Sequence, residues 1–232
     1  MASSLAQALC LEAPESWAGL NRTWGILSVT AIFHSYLARY TSSEGGESTD
    51  MHRSNSELVH AFPADLRDNA VLALSAFPEN PRPSKTFSAR VGDQIVVLPD
   101  RIYHNPALID TLSLNSVQKE LVDCLLTRHH DGLVREKHLT RIISRNHIWI
   151  PPFVVQLAGE YVIEILHVMR HNLSLLDASI YGEFLRTNPE LFAVTKQRVA
   201  SYWDCYYRNY RREEYVGFQV LDFLQSLVGK SH

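Results

Sequence analysis

The segment PPFVVQLAGEYVIEILHVMRH, residues 151–171, is apolar almost all round and most constrains the fold of this chain. Two prolines fit the first turn of a helix, and the pattern predicts one continuous helix to about residue 171. A helix that is apolar on all sides must be covered by other elements. The chain is long enough to supply them, since its 232 residues are 46% hydrophobic.

The polar residues of this predicted helix follow each other at intervals of three or four, which puts them on one stripe. They are Gln156, Glu160, Glu164, His167 and His171. The stripe is either the one solvated edge of the helix or the wall of an internal polar pocket. In a pocket, the carboxylates would need partners, because an unpaired buried charge is costly.

Helices are also predicted on both sides of this segment. Ser113 or Asn115 is expected to cap a helix with an apolar face, and Asp131-Gly132 to end it, with Gly132 as a left-handed cap. A second helix follows Gly132, and two or three more fill residues 174–228. No repeated period runs along the chain, so a full solenoid is not indicated.

Residues 86–104 give the one convincing β signal of the sequence, two strands joined by a tight turn at Gly92-Asp93. A lone hairpin is marginal and must pack on helices. The predicted fold class is therefore mainly α, a multi-helix bundle or orthogonal helical array with one small β-hairpin near residues 86–104.

The predicted organisation has three parts. Residues 1–15 are expected to be frayed or disordered. Residues 16–111 form an N-terminal region with a long helix (17–40), a polar Gly/Ser-rich loop (41–56), a short helix (63–77) and the hairpin. Residues 112–230 form a helical C-terminal region, packed with the N-terminal region as one unit.

Composition indicates a cytoplasmic protein without a membrane partner. The net charge of −3 gives no overall attraction to nucleic acid or to anionic lipid. Three widely spaced cysteines without a CxxC pair favour a reducing compartment. The apolar run 24–40 contains His34 and Arg39 and falls short of the about 20 apolar residues that span a bilayer. It is interpreted as a buried amphipathic helix, with a membrane-associated helix as the alternative.

The segment DGLVREKHLTRII resembles the second helix of a HEAT-type repeat, through Asp131, Val134, Arg135, Leu139 and Ile142. With the preceding helix, the resemblance covers residues 116–145 and occurs once. It implies a helical hairpin used for packing or for binding another protein, and it implies no activity. Together with the absence of catalytic signatures, it favours a non-enzymatic protein-interaction or scaffold module, with another protein or a second copy of the chain as the partner.

An enzyme or ligand-binding domain is the alternative class. Its candidate catalytic residues are His129, His130, Arg135, Glu160 and Glu164, because an Arg/His corner meeting the glutamate stripe could perform acid–base chemistry on an anionic substrate. The alternative is that the contact has a structural role only, as an ion-pair network. No nucleotide-binding motif is present and no cofactor is predicted.

A divalent metal is a further possibility on the same stripe. Glu164, His167 and His171 have the spacing of three ligands on one helix face, and Glu164-x-x-His167 is the pair that helical di-iron proteins use.

The segment SYWDCYYRNYRREEY supplies the candidate binding surface Tyr202, Trp203, Tyr206, Arg208 and Arg211. The same spacing is also typical of core packing. A protein-binding surface and a single-stranded nucleic-acid surface are the functional alternatives, and nucleic acid is the weaker one because Glu213 and Glu214 offset the arginines.

Overall fold

The computed structural model describes residues 55–79 and 85–229. The predicted frayed terminus, the long helix 17–40 and nearly all of the Gly/Ser-rich loop lie outside these ranges. The described residues all belong to one compact unit of the chain.

The described residues form a mainly α-helical structure with a two-stranded hairpin, which confirms the predicted fold class. The α-helices are α1 (Arg67–Leu74), α2 (Ser116–Leu126), α3 (Gly132–Ile142), α4 (Pro151–Leu157), α5 (Ile163–Asn172), α6 (Ala178–Thr187), α7 (Pro189–Tyr206) and α8 (Val216–Val228). The strands are β1 (Thr86–Val91) and β2 (Gln94–Pro99), and short 3₁₀ helices cover Asn55–Ala61, Ala64–Leu66, Pro106–Leu108 and Leu173–Leu175.

The hairpin is antiparallel and turns where the sequence predicts. Val91 pairs with Gln94, which leaves a two-residue turn. Gly92 has a φ of 59°, the positive value that such turns need and that glycine adopts without strain. On the opposite edge of β1, the Asn188 side chain accepts from the Arg90 N–H at 2.7 Å and donates to the Arg90 carbonyl at 2.9 Å. Asn188 thus occupies the edge as a further strand would.

The helix α2 begins as predicted but ends differently. The Asn115 side chain accepts from the Gln118 N–H and the Gln118 side chain accepts from the Asn115 N–H, a capping box. The predicted left-handed cap at Gly132 is wrong: α2 ends at Leu126, and Gly132 is the first residue of α3, capped by the Asp131 side chain. Gly132 is closely packed, since a Cβ there would lie 3.0 Å from the Val162 side chain.

The predicted continuous helix 151–171 is also wrong. The helix α4 ends at Leu157 and α5 begins at Ile163. Directly after α4, the Gly159 N–H donates to the Gln156 carbonyl and the Glu160 N–H to the Leu157 carbonyl, both at 3.2 Å. These tighter i→i+3 bonds end the helix. Glu160 therefore lies in a turn, and the predicted five-residue stripe does not exist as one helix face.

The core is built round α4, as its apolar sequence requires. All ten residues of 151–160 are buried, and α4 contacts both α6 and α7. The apolar helix α8 packs on α5, α6 and α7, while α2 packs between α1 and α3. Among the described helices, none is long and apolar enough to cross a membrane.

Candidate functional site

A cluster of arginines surrounds Glu160 in the interior, and we call it the arginine–glutamate cluster (Asp100, Arg101, Arg128, Arg135 and Glu160). Glu160 is only 2% exposed. The Nη2 of Arg101 donates to both of its carboxylate oxygens at 2.9 Å, and the Nη2 of Arg135 donates to Oε2 at 3.3 Å. The Nη1 of Arg128 lies 3.9 Å from Oε1. The three guanidinium groups therefore share one buried carboxylate.

The cluster joins four separate parts of the fold. Arg101 follows β2, Arg128 follows α2, Arg135 lies in α3 and Glu160 lies in the α4–α5 turn. The two buried arginines also donate to backbone carbonyls. Arg128 donates to Pro99 at 3.3 Å and Asp100 at 2.8 Å, and Arg135 donates to His129 at 2.8 Å and His130 at 2.9 Å.

The electrostatics of the cluster are dominated by burial. Arg128 is fully buried, and burial lowers its pKa to about 9, while Glu160 acts in the opposite direction. Asp100 is the second carboxylate, 3.7 Å from Arg128 and 3.9 Å from Arg101, and it is partly exposed. Within the described ranges, the Nη1 of Arg128 and the Nε of Arg135 make no hydrogen bond. With three arginines and two carboxylates, the cluster has a formal net charge of +1.

The two neighbouring histidines of the corner have different environments. His129 is buried, its Nε2 donates to the His104 carbonyl at 2.8 Å, and its Nδ1 accepts from the Asp131 N–H at 3.1 Å. Burial lowers its pKa, so the ring is neutral. Both ring nitrogens are already used in holding the backbone, which leaves none to meet a substrate. His130 is exposed, and its ring centroid lies 5.1 Å from that of Tyr103.

The structure brings Arg135 to Glu160 but separates Glu164 from both. Glu164, His167 and His171 are exposed on α5. The Nδ1 of His171 is occupied by the His167 carbonyl at 2.8 Å. In the part of the chain that the structure describes, no group of three or more His, Cys, Asp or Glu side chains could hold a metal ion. The arrangement of these three side chains thus does not support the predicted three-ligand site.

A chain of tyrosine rings lies at the surface, and we call Tyr161, Tyr202, Tyr206, Tyr207 and Tyr210 the tyrosine surface. Successive ring centroids are 5.8 Å (Tyr161 to Tyr202), 6.2 Å (to Tyr206), 6.4 Å (to Tyr207) and 6.4 Å (to Tyr210) apart. The two end residues, Tyr161 and Tyr210, are each 48% exposed, and the middle three are half-buried. The rings therefore form one continuous patch.

The other members of the predicted binding surface have mixed roles. Trp203 packs edge-on against Phe218 of α8, which is a core contact. Arg208 is exposed and pairs with Asp204 at 2.7 Å. Arg211 is also exposed.

Tyr202 connects the tyrosine surface to the arginine–glutamate cluster. The pKa of its hydroxyl is raised by burial and by the nearby Glu160, and lowered by Arg198 and Arg101. Tyr161 directly follows Glu160 in the chain. The Arg/Glu residues and the tyrosine segment, two separate features of the sequence, thus meet in one region of the fold.

Sequence patterns did not indicate Asp100, Arg101 or Tyr161, because no local motif surrounds them. The break that buries Glu160 did have a signal, since Gly159 interrupts the predicted helix. A carboxylate–histidine contact was also missed, between the Nδ1 of His138 and Asp123 at 2.6 Å, where Arg141 also donates to Asp123 at 3.0 Å.

No family model, no curated protein and no solved structure matches this chain. The HEAT-type resemblance of residues 116–145 therefore stays a prediction.

Proposed function

We propose that this chain is a protein-interaction module that binds its partner through the tyrosine surface. The observation that carries the proposal is the unbroken row of five tyrosine rings, half-exposed to exposed, that runs from Tyr161 to Tyr210. Tyrosine is enriched at the centres of protein interfaces because it buries a large apolar ring and keeps a polar tip. A second copy of the chain and a different protein are both possible partners.

The rings are held in place before any partner arrives. The Tyr207 hydroxyl donates to the Tyr161 carbonyl at 2.9 Å, and the Trp203 Nε1 donates to the Tyr210 carbonyl at 3.1 Å. Tyr207 also stacks on the buried Tyr215, with ring centroids 5.0 Å apart. Because the side chains are already ordered, binding loses less conformational entropy.

The contacts of the predicted catalytic residues also favour a protein-interaction module. His129 has both ring nitrogens engaged in backbone contacts. Glu160 is neutralised by the arginines around it, and Glu164 lies apart from it on the surface of α5. His129 and Glu160 are thus held by structural contacts, which supports a binding module over an acid–base site.

The test compares two double variants of the full chain. Tyr161→Ala with Tyr210→Ala removes the two exposed rings at the ends of the tyrosine surface. Val71→Ala with Leu72→Ala is the matched control, since these side chains of α1 are 58% and 52% exposed and lie outside the tyrosine surface. The measurements are light scattering after size exclusion and recovery of bound protein from a native extract.

We expect the wild type and the α1 variant to form the same complex. In the tyrosine variant, the affinity of that complex should fall about tenfold or more. The complex is either a self-associated form, seen as a higher mass, or a specific recovered protein. A strictly monomeric wild type with no enriched partner contradicts the proposal. Equal binding by the tyrosine variant contradicts the assigned surface.

A further inference from the structure

The tyrosine surface continues onto the start of α3 through an exposed leucine. A Cβ on Gly132 would lie 3.0 Å from the Val162 side chain, so the start of α3 and the start of α5 touch there. Leu133 directly follows this glycine and is 69% exposed, and Tyr161 directly precedes this valine and is 48% exposed. An exposed apolar side chain thus adjoins the row of rings, which is the composition of a surface that another protein covers.

The charged side chains around the rings nearly cancel. Residues 161–164 and 202–214 carry four carboxylates and three arginines, a formal net charge of −1. Arg208 is paired with Asp204 at 2.7 Å, and Arg212 lies over the Phe218 ring at 4.1 Å. These residues therefore lack the row of unpaired cations that single-stranded nucleic acid needs. They also give no strong field of one sign that would match a highly acidic or highly basic protein.

Two exposed charges of opposite sign lie next to the rings. Glu164 lies in the first turn of α5, three residues after Tyr161. The Tyr161 carbonyl accepts the Tyr207 hydroxyl at 2.9 Å, so this turn adjoins the rings. Arg211 directly follows Tyr210, the exposed ring at the other end of the row. Neither charged side chain makes a hydrogen bond or an ion pair with any other described residue, although both are exposed.

An apolar surface with an acid on one side and a base on the other is complementary to itself. A two-fold axis that runs along the surface between Glu164 and Arg211 places Glu164 of each copy opposite Arg211 of the other. The same contact then forms twice, and both charges are paired in both copies. A partner that presents charges of one sign would instead set a like charge against Glu164 or against Arg211.

We infer that the partner of the tyrosine surface is a second copy of this chain, in a two-fold dimer that pairs Glu164 of each copy with Arg211 of the other. This inference rests on the proposed function of the tyrosine surface, and it adds the identity of the partner and the contacts that orient it. The rings and Leu133 supply the buried area, and the charge pairs select the orientation.

The experiment exchanges the two charges in the full chain. Glu164→Arg and Arg211→Glu each set like charges against each other twice in a dimer of identical copies. An equimolar mixture of these two variants restores opposite charges at both contacts, and so does the double variant. Asp65→Arg and Lys137→Glu are the matched controls, since both residues are exposed and lie outside the tyrosine surface.

Sedimentation velocity over a range of protein concentrations measures the dissociation constant of the dimer. Urea denaturation at low concentration, where the chain is monomeric, checks that each variant folds as the wild type does. If one single variant does not fold, the other single variant and the double variant make the same test, as loss and recovery of the dimer.

We expect the wild type, both controls, the mixture and the double variant to form dimers. The dissociation constant should rise about tenfold or more in each single charge variant, because two repulsive contacts replace two attractive ones. A wild type that stays monomeric over the whole range overturns the inference. Single charge variants that dimerise as tightly as the wild type, or a mixture that does not recover the dimer, overturn it as well.

The variant with Tyr161→Ala and Tyr210→Ala separates this inference from the proposed function. If the wild type is monomeric and recovers a different protein that this variant loses, the second-copy inference is wrong and the tyrosine surface stands. If the charge variants control a dimer that the tyrosine variant leaves intact, the proposed role of the tyrosine surface fails and the charge-paired dimer remains.

Discussion

Glu160 lies in a connecting turn and yet is 2% exposed. Removing a carboxylate from water costs several kcal/mol, and only close cations or hydrogen-bond donors offset that cost. The three arginines supply both, through donors at 2.9 Å and 3.3 Å and a third guanidinium at 3.9 Å. Glu160 in turn is what allows Arg128 and Arg135 to be buried so close together.

We predict that Glu160→Gln lowers the free energy of unfolding by about 3–5 kcal/mol, because the amide leaves three guanidinium groups without their shared counter-charge. Urea denaturation measures the change. Glu164→Gln is the matched control, since Glu164 is exposed on α5, and it should change stability by less than about 0.5 kcal/mol. Equal changes in the free energy of unfolding for the two variants would contradict the structural role of Glu160.

His129 is predicted to be a neutral core residue with a fixed tautomer. Its Nδ1 accepts from a backbone N–H at 3.1 Å, so the proton must be on Nε2, which donates to the His104 carbonyl at 2.8 Å. Long-range ¹H–¹⁵N correlation at about pH 7 should show a protonated Nε2 and an unprotonated Nδ1. Rapid exchange between tautomers would contradict these contacts and return His129 to the list of reactive candidates.

At the scale of elements, the Asn188 side chain covers the edge of β1 that does not pair with β2. It bonds to the N–H and the carbonyl of Arg90 and also donates to the Phe184 carbonyl at 2.9 Å. We predict that Asn188→Ala destabilises the fold by about 2 kcal/mol and speeds amide exchange at Arg90 and the rest of the hairpin more than in α8.

The control for this prediction is Asn172→Ala. Asn172 is half-buried and makes one local bond, to the Val168 carbonyl at 2.7 Å. Its loss should cost less than about 1 kcal/mol and leave hairpin exchange unchanged. If both asparagine variants behave alike, the side chain of Asn188 does not protect the strand edge.

Elements with local signals could be predicted from the sequence. Gly92-Asp93 marked the hairpin turn and Asn115 marked the start of α2, because turn and cap chemistry depend on neighbouring residues. The break after α4 was missed, since apolar residues continue on both sides of Gly159. Periodicity cannot separate one buried helix from two that meet at a buried turn.

The candidate site could be predicted only in part for a related reason. The contact of Arg135 with Glu160 was a stated alternative, because both lie in neighbouring helical segments. Arg101 lies 59 residues from Glu160 in the sequence, and the bond between them depends on where the end of β2 packs. The meeting of Tyr202 with the arginine–glutamate cluster depends likewise on how α7 crosses the α4–α5 turn.

At the scale of the whole molecule, a buried histidine makes the stability of the fold depend on pH. His104 is 5% exposed, and its Nε2 donates to the Asn55 side-chain oxygen at 2.8 Å. Asn55 donates in turn to the Pro78 carbonyl at 3.0 Å. The ring of Phe77 packs edge-on at 5.1 Å. Protonating His104 would place a charge among these groups, so burial, followed by the neighbouring His129, lowers its pKa to about 4.

The sign of the resulting pH dependence follows from the two pKa values. Between the ordinary pKa of 6.5 and the folded value of about 4, the unfolded chain binds a proton that the folded chain does not. The stabilising effect of neutral His104 is therefore complete above about pH 6.5 and is lost progressively as the pH falls towards 4. The pKa of His129 is lowered as well, so it acts in the same direction.

We predict that the free energy of unfolding falls by about 2 kcal/mol between pH 7 and pH 5 through His104 alone. Urea denaturation across this range measures the slope. His104→Gln keeps a donor for Asn55 and cannot titrate, so the variant should be less stable at pH 7 but show a flatter pH profile. Parallel profiles for the wild type and the variant would mean that the pKa of His104 is the same in the folded and unfolded chain, and would contradict the prediction.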